Sequence, residues 1–204
     1  MLNNFQSNYF MTLILICFGI YVLIIVVSKS IMNHKLNQMI ILLQNHRFSE
    51  FDQMMEKKII KIVFNPFNID FIKLNSYLIR DDSKRIDDAF ANFDSVRLSS
   101  KQRDEIDLKA FNYYLFIDEK KAKKYYQNIE NSKTNKMKKD VERLYDIYIL
   151  KSSRYLQTLL DETEKLEDKY KSANELLISE IYKNLGDTDK HKMYKELAER
   201  HLNL

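Results

Sequence analysis

Side chains that could perform chemistry are few and widely spaced in this sequence. Four histidines form no H-E-x-x-H pattern and no other close ligand pair: His34, His46, His191 and His201. Acidic pairs such as Asp81-Asp82 fall at predicted helix starts, where carboxylates stabilise the helix dipole without acid–base chemistry. With only Gly19 and Gly186, the chain cannot build a phosphate-binding glycine loop. We therefore predict no catalytic, cofactor-binding or metal-binding residues, and a protein that is not an enzyme.

The single cysteine, Cys17, lies inside an apolar stretch, so neither a disulfide framework nor a thiolate metal site can form within one chain. Lipid attachment to it would need a small preceding residue and a basic segment ahead of the apolar run. Ile16 precedes it, and residues 1–8 carry no charged side chain, so the sequence disfavours this modification.

A run of lysines between residues 120 and 139 is the strongest charge feature, although the net charge of the whole chain is only +4. Three interpretations stay open: a solvated helix face, contact with anionic lipid headgroups, and nucleic-acid binding. Because nucleic-acid-binding proteins usually show a more concentrated basic face, we predict no nucleic-acid partner. The lysines concerned are Lys120, Lys121, Lys123, Lys124, Lys133, Lys136, Lys138 and Lys139.

The first element that would position these residues is an apolar stretch without charge over residues 9–27. As a helix it would be about 28 Å long, close to the thickness of a bilayer's hydrocarbon core. We therefore predict a short tail over 1–8, a transmembrane helix over 9–28 and a helical body over 29–204. Basic residues flank the stretch only on its C-terminal side, which predicts a single-pass cell-membrane protein with a cytoplasmic C-terminal domain.

The body is poor in glycine and proline, which favours helices joined by short polar corners. Cap residues and apolar periodicity predict helices over about 31–44, 48–63, 66–80, 83–95, 99–117, 119–131, 132–150, 154–165, 168–185 and 188–201.

One inward residue recurs early in every second helix of this series, at steps of 35, 36, 34 and 35: Phe51, Ile86, Ala122, Leu156 and His191. A bulky residue also recurs nine positions before each of these five inward residues: Leu42, Tyr77, Tyr113, Ile147 and Tyr182. Such a period predicts helical hairpins that stack, because no single hairpin can bury its apolar face alone. An irregular helical bundle with coincidental spacing is the alternative.

A helix-pair period of this length resembles the tetratricopeptide repeat (TPR) family. The fifth unit carries the clearest likeness, in Ile178-Ser179, Tyr182, Leu185-Gly186-Asp187 and Ala198. The first, second and fourth units depart from the family, because Phe51, Ile86 and Leu156 stand where it has a small residue. The resemblance covers roughly residues 32–204 and implies an all-α fold in which an α-solenoid of about five TPR-like hairpins follows the transmembrane helix.

In that family the first helices of the hairpins line a concave surface that holds a peptide. Carried onto this sequence, the register would place seven side chains there: Asn75, Phe111, Tyr114, Tyr145, Tyr148, Glu180 and Lys183. Tyrosine suits a binding groove, since it joins a large apolar area to a hydrogen-bonding tip, although the same rings could form the core.

The function predicted from these features is that of a membrane-anchored, non-catalytic adaptor or scaffold. It would bind a protein or peptide of unknown identity, without a cofactor, and its C-terminal end could also dock a second copy as a homo-oligomer. The alternative is an accessory subunit of a bacterial secretion, translocation or envelope-assembly complex, with contacts through the transmembrane and juxtamembrane helices.

Overall fold

In a computed structural model of the chain, all regular structure in the described residues is helical, which confirms the predicted all-α class. The structure describes the backbone of residues 2–202 and the side chains of residues 21–202. Besides a 3₁₀ turn at Asp168–Tyr170, this part of the chain forms α1 (Leu2–Gln44), α2 (Phe48–Met55), α3 (Lys58–Val63), α4 (Pro66–Ile79), α5 (Ser83–Ser95), α6 (Ser100–Tyr114), α7 (Glu119–Asn131), α8 (Lys138–Tyr148), α9 (Leu156–Glu164), α10 (Ser172–Asn184) and α11 (Thr188–Leu202).

The predicted transmembrane helix over residues 9–28 is contradicted. Among the described residues, no helix is both long enough and apolar enough to cross a membrane. Helix α1 runs from Leu2 to Gln44, and its side chains are described from Tyr21 onward. Residue 1 and the side chains of residues 2–20 lie outside the described residues.

The predicted single-pass location in the cell membrane depended on that anchor. The cytoplasmic placement of the C-terminal domain depended on it as well. Both predictions are therefore corrected by the same finding, that no described helix could span a bilayer.

The chain divides into two compact units, Met1–Asn92 and Phe93–Leu204. In the first unit, the end of α1 packs against α2 and α3 through a buried apolar cluster: Met39, Leu42, Leu43, Phe51, Met55, Ile60 and Phe64. The helix predicted over 48–63 is interrupted, because Lys57 takes an extended backbone with ψ of 135°. Helix α4 starts as predicted at Pro66, where the Asn65 side chain accepts a hydrogen bond from the Asn68 N–H at 2.8 Å.

In the second unit, α6 packs against α7, and α10 packs against α9 and α11. A buried apolar cluster joins the later helices: Ile147, Leu159, Ile178, Ile181 and Tyr182. Local caps set where these helices begin. Ser99 and Gln102 form a reciprocal capping box at the start of α6, and the Asp118 carboxylate accepts the Lys121 N–H at 3.0 Å at the start of α7.

Helix ends with a left-handed backbone recur at intervals of 35 residues or twice that number. They lie at His46, Asp81 and Lys151, each with φ of 54°, and at Gly186, with φ of 76°. At three of them the next N–H bonds to a carbonyl five residues back, on Leu42, Tyr77 and Tyr182, at 2.8, 3.1 and 3.0 Å. This is the Schellman termination, in which a left-handed residue lets the last carbonyls of a helix find donors. Those three acceptors are members of the bulky series that recurs in the sequence.

The corner between α6 and α7 is the exception to this interval. The interval assigns its left-handed position to Phe116, whose φ is not positive. Instead, the N–H groups of Ile117 and Asp118 both bond to the Tyr114 carbonyl, at 3.0 and 2.9 Å. The helix predicted to reach residue 117 therefore ends at Tyr114, and three apolar residues form the corner, of which Leu115 is buried and Phe116 and Ile117 are exposed.

Candidate protein-binding surface

The seven residues predicted to line a groove fall into three groups. Asn75 lies half-buried on α4 in the first unit. In the second unit, Phe111, Tyr114 and Tyr145 are buried, whereas the remaining three, on α8 and α10, are partly or fully accessible: Tyr148, Glu180 and Lys183.

The buried aromatic rings join three helices of the second unit. The ring of Tyr145, on α8, stacks on that of Tyr126, on α7, with centroids 3.9 Å apart and planes 4° from parallel. The Phe111 centroid lies 6.5 Å from the same Tyr126 ring, and Tyr114 stacks on Tyr125 at 5.8 Å. Burial raises the pKa of Tyr145, and the negative charge of Glu119 adds to the effect. In this structure these rings hold α6, α7 and α8 together, so their contact with a partner stays a prediction.

The accessible members lie close to one another. Tyr148 ends α8 half-buried, and its pKa is raised first by burial and then by the charge of Glu180. Lys183 pairs with Glu180 one turn earlier on α10, with 3.1 Å between Nζ and Oε1. The Asn184 side chain donates to the Ile147 carbonyl at 2.9 Å, which fixes the end of α10 beside the end of α8. We call Tyr148, Glu180 and Lys183 the α8–α10 surface; it offers a phenol, a carboxylate and an ammonium group.

Sequence reasoning missed the aromatic neighbour of this surface. The ring of Phe116 meets Tyr148 edge-on, with centroids 4.8 Å apart and an interplanar angle of 83°. Phe116 is 69% exposed, and Ile117 beside it is 64% exposed. Both were assigned to the helix predicted over 99–117. One signal could have singled them out, since the other corners carry His-Arg, Asp-Asp, Lys-Ser and Gly-Asp at the matching positions.

A polar cleft of about 600 Å³ lies elsewhere in the second unit, between α6, α7 and the segment that follows α7. Its charged groups largely satisfy one another. Asp94 accepts hydrogen bonds from Arg103 at 3.3 Å, Lys124 at 2.5 Å and the Tyr125 hydroxyl at 3.0 Å. The carboxylate of Asp104 accepts from two hydroxyl groups, those of Ser132 and Thr134, each at 2.5 Å.

Asp107 is the buried acid of this cleft. Burial raises its pKa to about 6, although the hydrogen bond from the Asn128 amide at 3.2 Å and the charge of Arg103 act in the opposite direction. A carboxyl that titrates near neutral pH can serve as a general base, but neither histidine nor cysteine lines the cleft beside it. Among the described residues, no three His, Cys, Asp or Glu side chains are arranged to hold a metal ion.

Comparison of the chain with protein-family models, with curated proteins and with solved structures finds no match. The fold and surface thus define the class only coarsely. It is an all-α chain with recurring helix ends and an accessible patch of aromatic and charged side chains.

Proposed function

We propose that the chain is a non-catalytic helical scaffold, similar to TPR proteins, that binds a segment of another protein. The observation that carries this proposal is the recurrence of left-handed helix ends at His46, Asp81, Lys151 and Gly186, spaced by 35 residues or a multiple of it. Helix pairs of equal length can stack on one another, and stacked pairs present their first helices to a common ligand.

The α8–α10 surface is the part of the described chain best suited to such a ligand. Tyrosine contributes a large contact area at a low cost in conformational entropy, and its hydroxyl can pair with a peptide backbone. The Glu180–Lys183 ion pair supplies a donor and an acceptor beside it. Tyr148 is held by the Phe116 ring on one side, so little ordering of its side chain is needed on binding.

The alternative function, an accessory subunit of a membrane complex, required contacts through the transmembrane and juxtamembrane helices. With the transmembrane helix contradicted, no described feature favours this alternative.

Affinity capture with the full chain tests the scaffold proposal. The test variant combines Tyr148→Ala, Glu180→Ala and Lys183→Ala. A matched control removes the same three residue types from exposed positions elsewhere in the second unit, by Tyr170→Ala, Lys192→Ala and Glu196→Ala. We expect wild type and control to retain a protein from the source cells that can be cross-linked to the chain, and the test variant to lose it. Circular dichroism should show that all three chains are equally folded. If wild type enriches no protein, or both variants retain it equally, the proposal fails.

A further inference from the structure

The corner between α6 and α7 departs from the other corners in two ways at once. Its backbone lacks the left-handed residue, and Phe116 and Ile117 stand where the others carry polar residues or glycine. Large apolar side chains that are about two-thirds exposed contribute little to folding. Phe116 packs edge-on against Tyr148, and Ile117 follows Phe116 in the chain, so the two exposed apolar side chains are adjacent in sequence rather than scattered.

The segment from α7 to the start of α8 is basic, although α7 itself carries only four lysines and two glutamates. Residues 119–139 contain eight lysines and two glutamates, a net charge of +6 in a chain whose total is +4. Several lysines are already engaged, since Lys124 pairs with Asp94 and the Lys138 ammonium bonds to the Glu130 carbonyl. Five others are exposed and form no ion pair in the described part of the chain: Lys120, Lys123, Lys133, Lys136 and Lys139.

We propose that the first of these lysines and the apolar corner form one docking surface for an acidic segment of a partner protein. This surface, the corner patch, consists of Phe116, Ile117, Lys120 and Lys123. Its occupant carries at least one large aliphatic or aromatic side chain next to two or more aspartates or glutamates. The proposal rests on the scaffold function above and specifies the partner's chemistry.

Charge complementarity argues for carboxylates as the anionic groups. Between residues 104 and 142 the chain has no arginine, the residue whose planar fork matches phosphate groups best. Lysines act instead as flexible point charges, which suit several spaced carboxylates. An apolar anchor followed by lysines on the next helix also discriminates between partners, because a neutral or basic segment would leave those ammonium groups unpaired or repelled.

The test uses the full chain as bait for a displayed library of random peptides about 12 residues long. The enriched peptides are then measured by fluorescence anisotropy. We expect net-negative peptides with at least one aliphatic or aromatic residue, whose affinity weakens as salt is raised. Two corner-patch variants, Phe116→Ser with Ile117→Ser and Lys120→Glu with Lys123→Glu, should each weaken binding about tenfold or more.

Two controls make changes of the same kind in the first unit, one at a single apolar residue and one at two lysines. Ile62→Ser removes an apolar side chain that is 76% exposed, and Lys57→Glu with Lys58→Glu reverses two exposed lysines. We expect these controls to bind within about twofold of wild type. Because all altered residues are largely exposed, thermal unfolding should change little in any variant.

Several results would overturn the inference. The inference fails if no peptide is enriched or if the enriched peptides are neutral or basic. It also fails if the corner-patch variants bind the peptides as wild type does, or if the controls lose as much affinity as those variants. Single-stranded DNA or anionic vesicles that displace the peptides from the same lysines would assign the surface to another class of ligand. A dimer in sedimentation that Phe116→Ser abolishes would make a second copy the occupant.

The two proposals fail in distinguishable ways. If the captured cellular partner survives the corner-patch changes but is lost with the α8–α10 variant, the scaffold function stands and the acidic-segment inference falls. If neither set of changes affects capture, the scaffold function falls as well.

Discussion

Replacing the buried Asp107 with asparagine should stabilise the second unit at neutral pH. Its side chain lies in α6 with only 2% of the residue exposed, and burial raises its pKa to about 6. An aspartate in an unfolded chain has a pKa of about 3.9. The folded state therefore keeps its proton in a range where the unfolded state has released it. The free energy of unfolding must fall as pH rises through that range, and the loss is complete above pH 6.

The magnitude follows from the difference between the two pKa values. About two units at about 1.4 kcal/mol each give a penalty near 3 kcal/mol at pH 7.5, against about 1 kcal/mol at pH 4.5. Asparagine has nearly the same shape and carries no charge at either pH. Its side-chain oxygen can still accept the hydrogen bond that the Asn128 amide donates. The difference between Asp107→Asn and wild type should therefore grow by about 2 kcal/mol between those two pH values.

Urea unfolding at several pH values measures this difference, followed by circular dichroism. Comparing variant with wild type at each pH cancels all other titrating groups. Asp88→Asn, at an exposed carboxylate on α5, serves as the control and should show no such growth. A stability difference for Asp107→Asn that is zero at pH 7.5, or that does not change with pH, would refute the assignment of a buried, protonatable acid to this cleft.

Three further predictions concern the packing and the helix ends, each measured by urea unfolding. Tyr145→Ala should cost about 3 kcal/mol, because it removes a buried ring and its stacked contact, whereas Tyr145→Phe should be nearly neutral. Lys151→Gly should raise the free energy of unfolding by about 0.5–1 kcal/mol, because glycine adopts the left-handed backbone without strain. Gly186→Ala should lower it by about 1 kcal/mol through backbone strain alone, since no neighbouring atom would obstruct the added methyl group. His201→Ala should cost about 2 kcal/mol, because it leaves the buried Glu175 carboxylate without its partner at 2.8 Å; adding Glu175→Gln should recover part of that loss.

Helix starts could be predicted from sequence where the determinant is local. The Asn65-Pro66 pair, the Ser99–Gln102 box and the Asp118 cap each satisfy N–H groups within three residues, and the structure has all three. These signals depend on backbone chemistry that neighbouring helices do not alter.

Helix boundaries set by tertiary contacts were missed. The segment predicted as helical from 132 begins its helix only at Lys138. The Ser132 and Thr134 hydroxyls donate to Asp104 on α6, while the Ser132 oxygen accepts the Thr134 and Asn135 N–H groups in a local turn. The break before Lys58 contains neither glycine nor proline. It turns the chain so that Ile60 and Phe64 join the cluster beneath α1. Neither contact is visible in a local sequence pattern.

The apolar N-terminal stretch shows a different limit. Hydropathy alone predicted a membrane span, but the described part of α1 does not supply one. After Lys29 the same helix carries Met39, Leu42 and Leu43 into the core of the first unit. An apolar stretch predicts that its surface is buried, but composition does not distinguish burial by lipid from burial against other helices.

Periodicity also cannot separate a groove from a core when the two share one helix. Tyr145 and Tyr148 are three positions apart on α8, and both satisfied the register of a ligand-facing residue. The structure turns the first toward Tyr126 and the second toward Phe116, the corner residue that the register omitted. Tyr148 packs partly against the buried cluster of the later helices and also contacts the exposed Phe116 ring, so Phe116 lies where packed and accessible side chains meet. A change at Phe116 that altered ligand affinity without altering unfolding would separate these two roles of α8 directly.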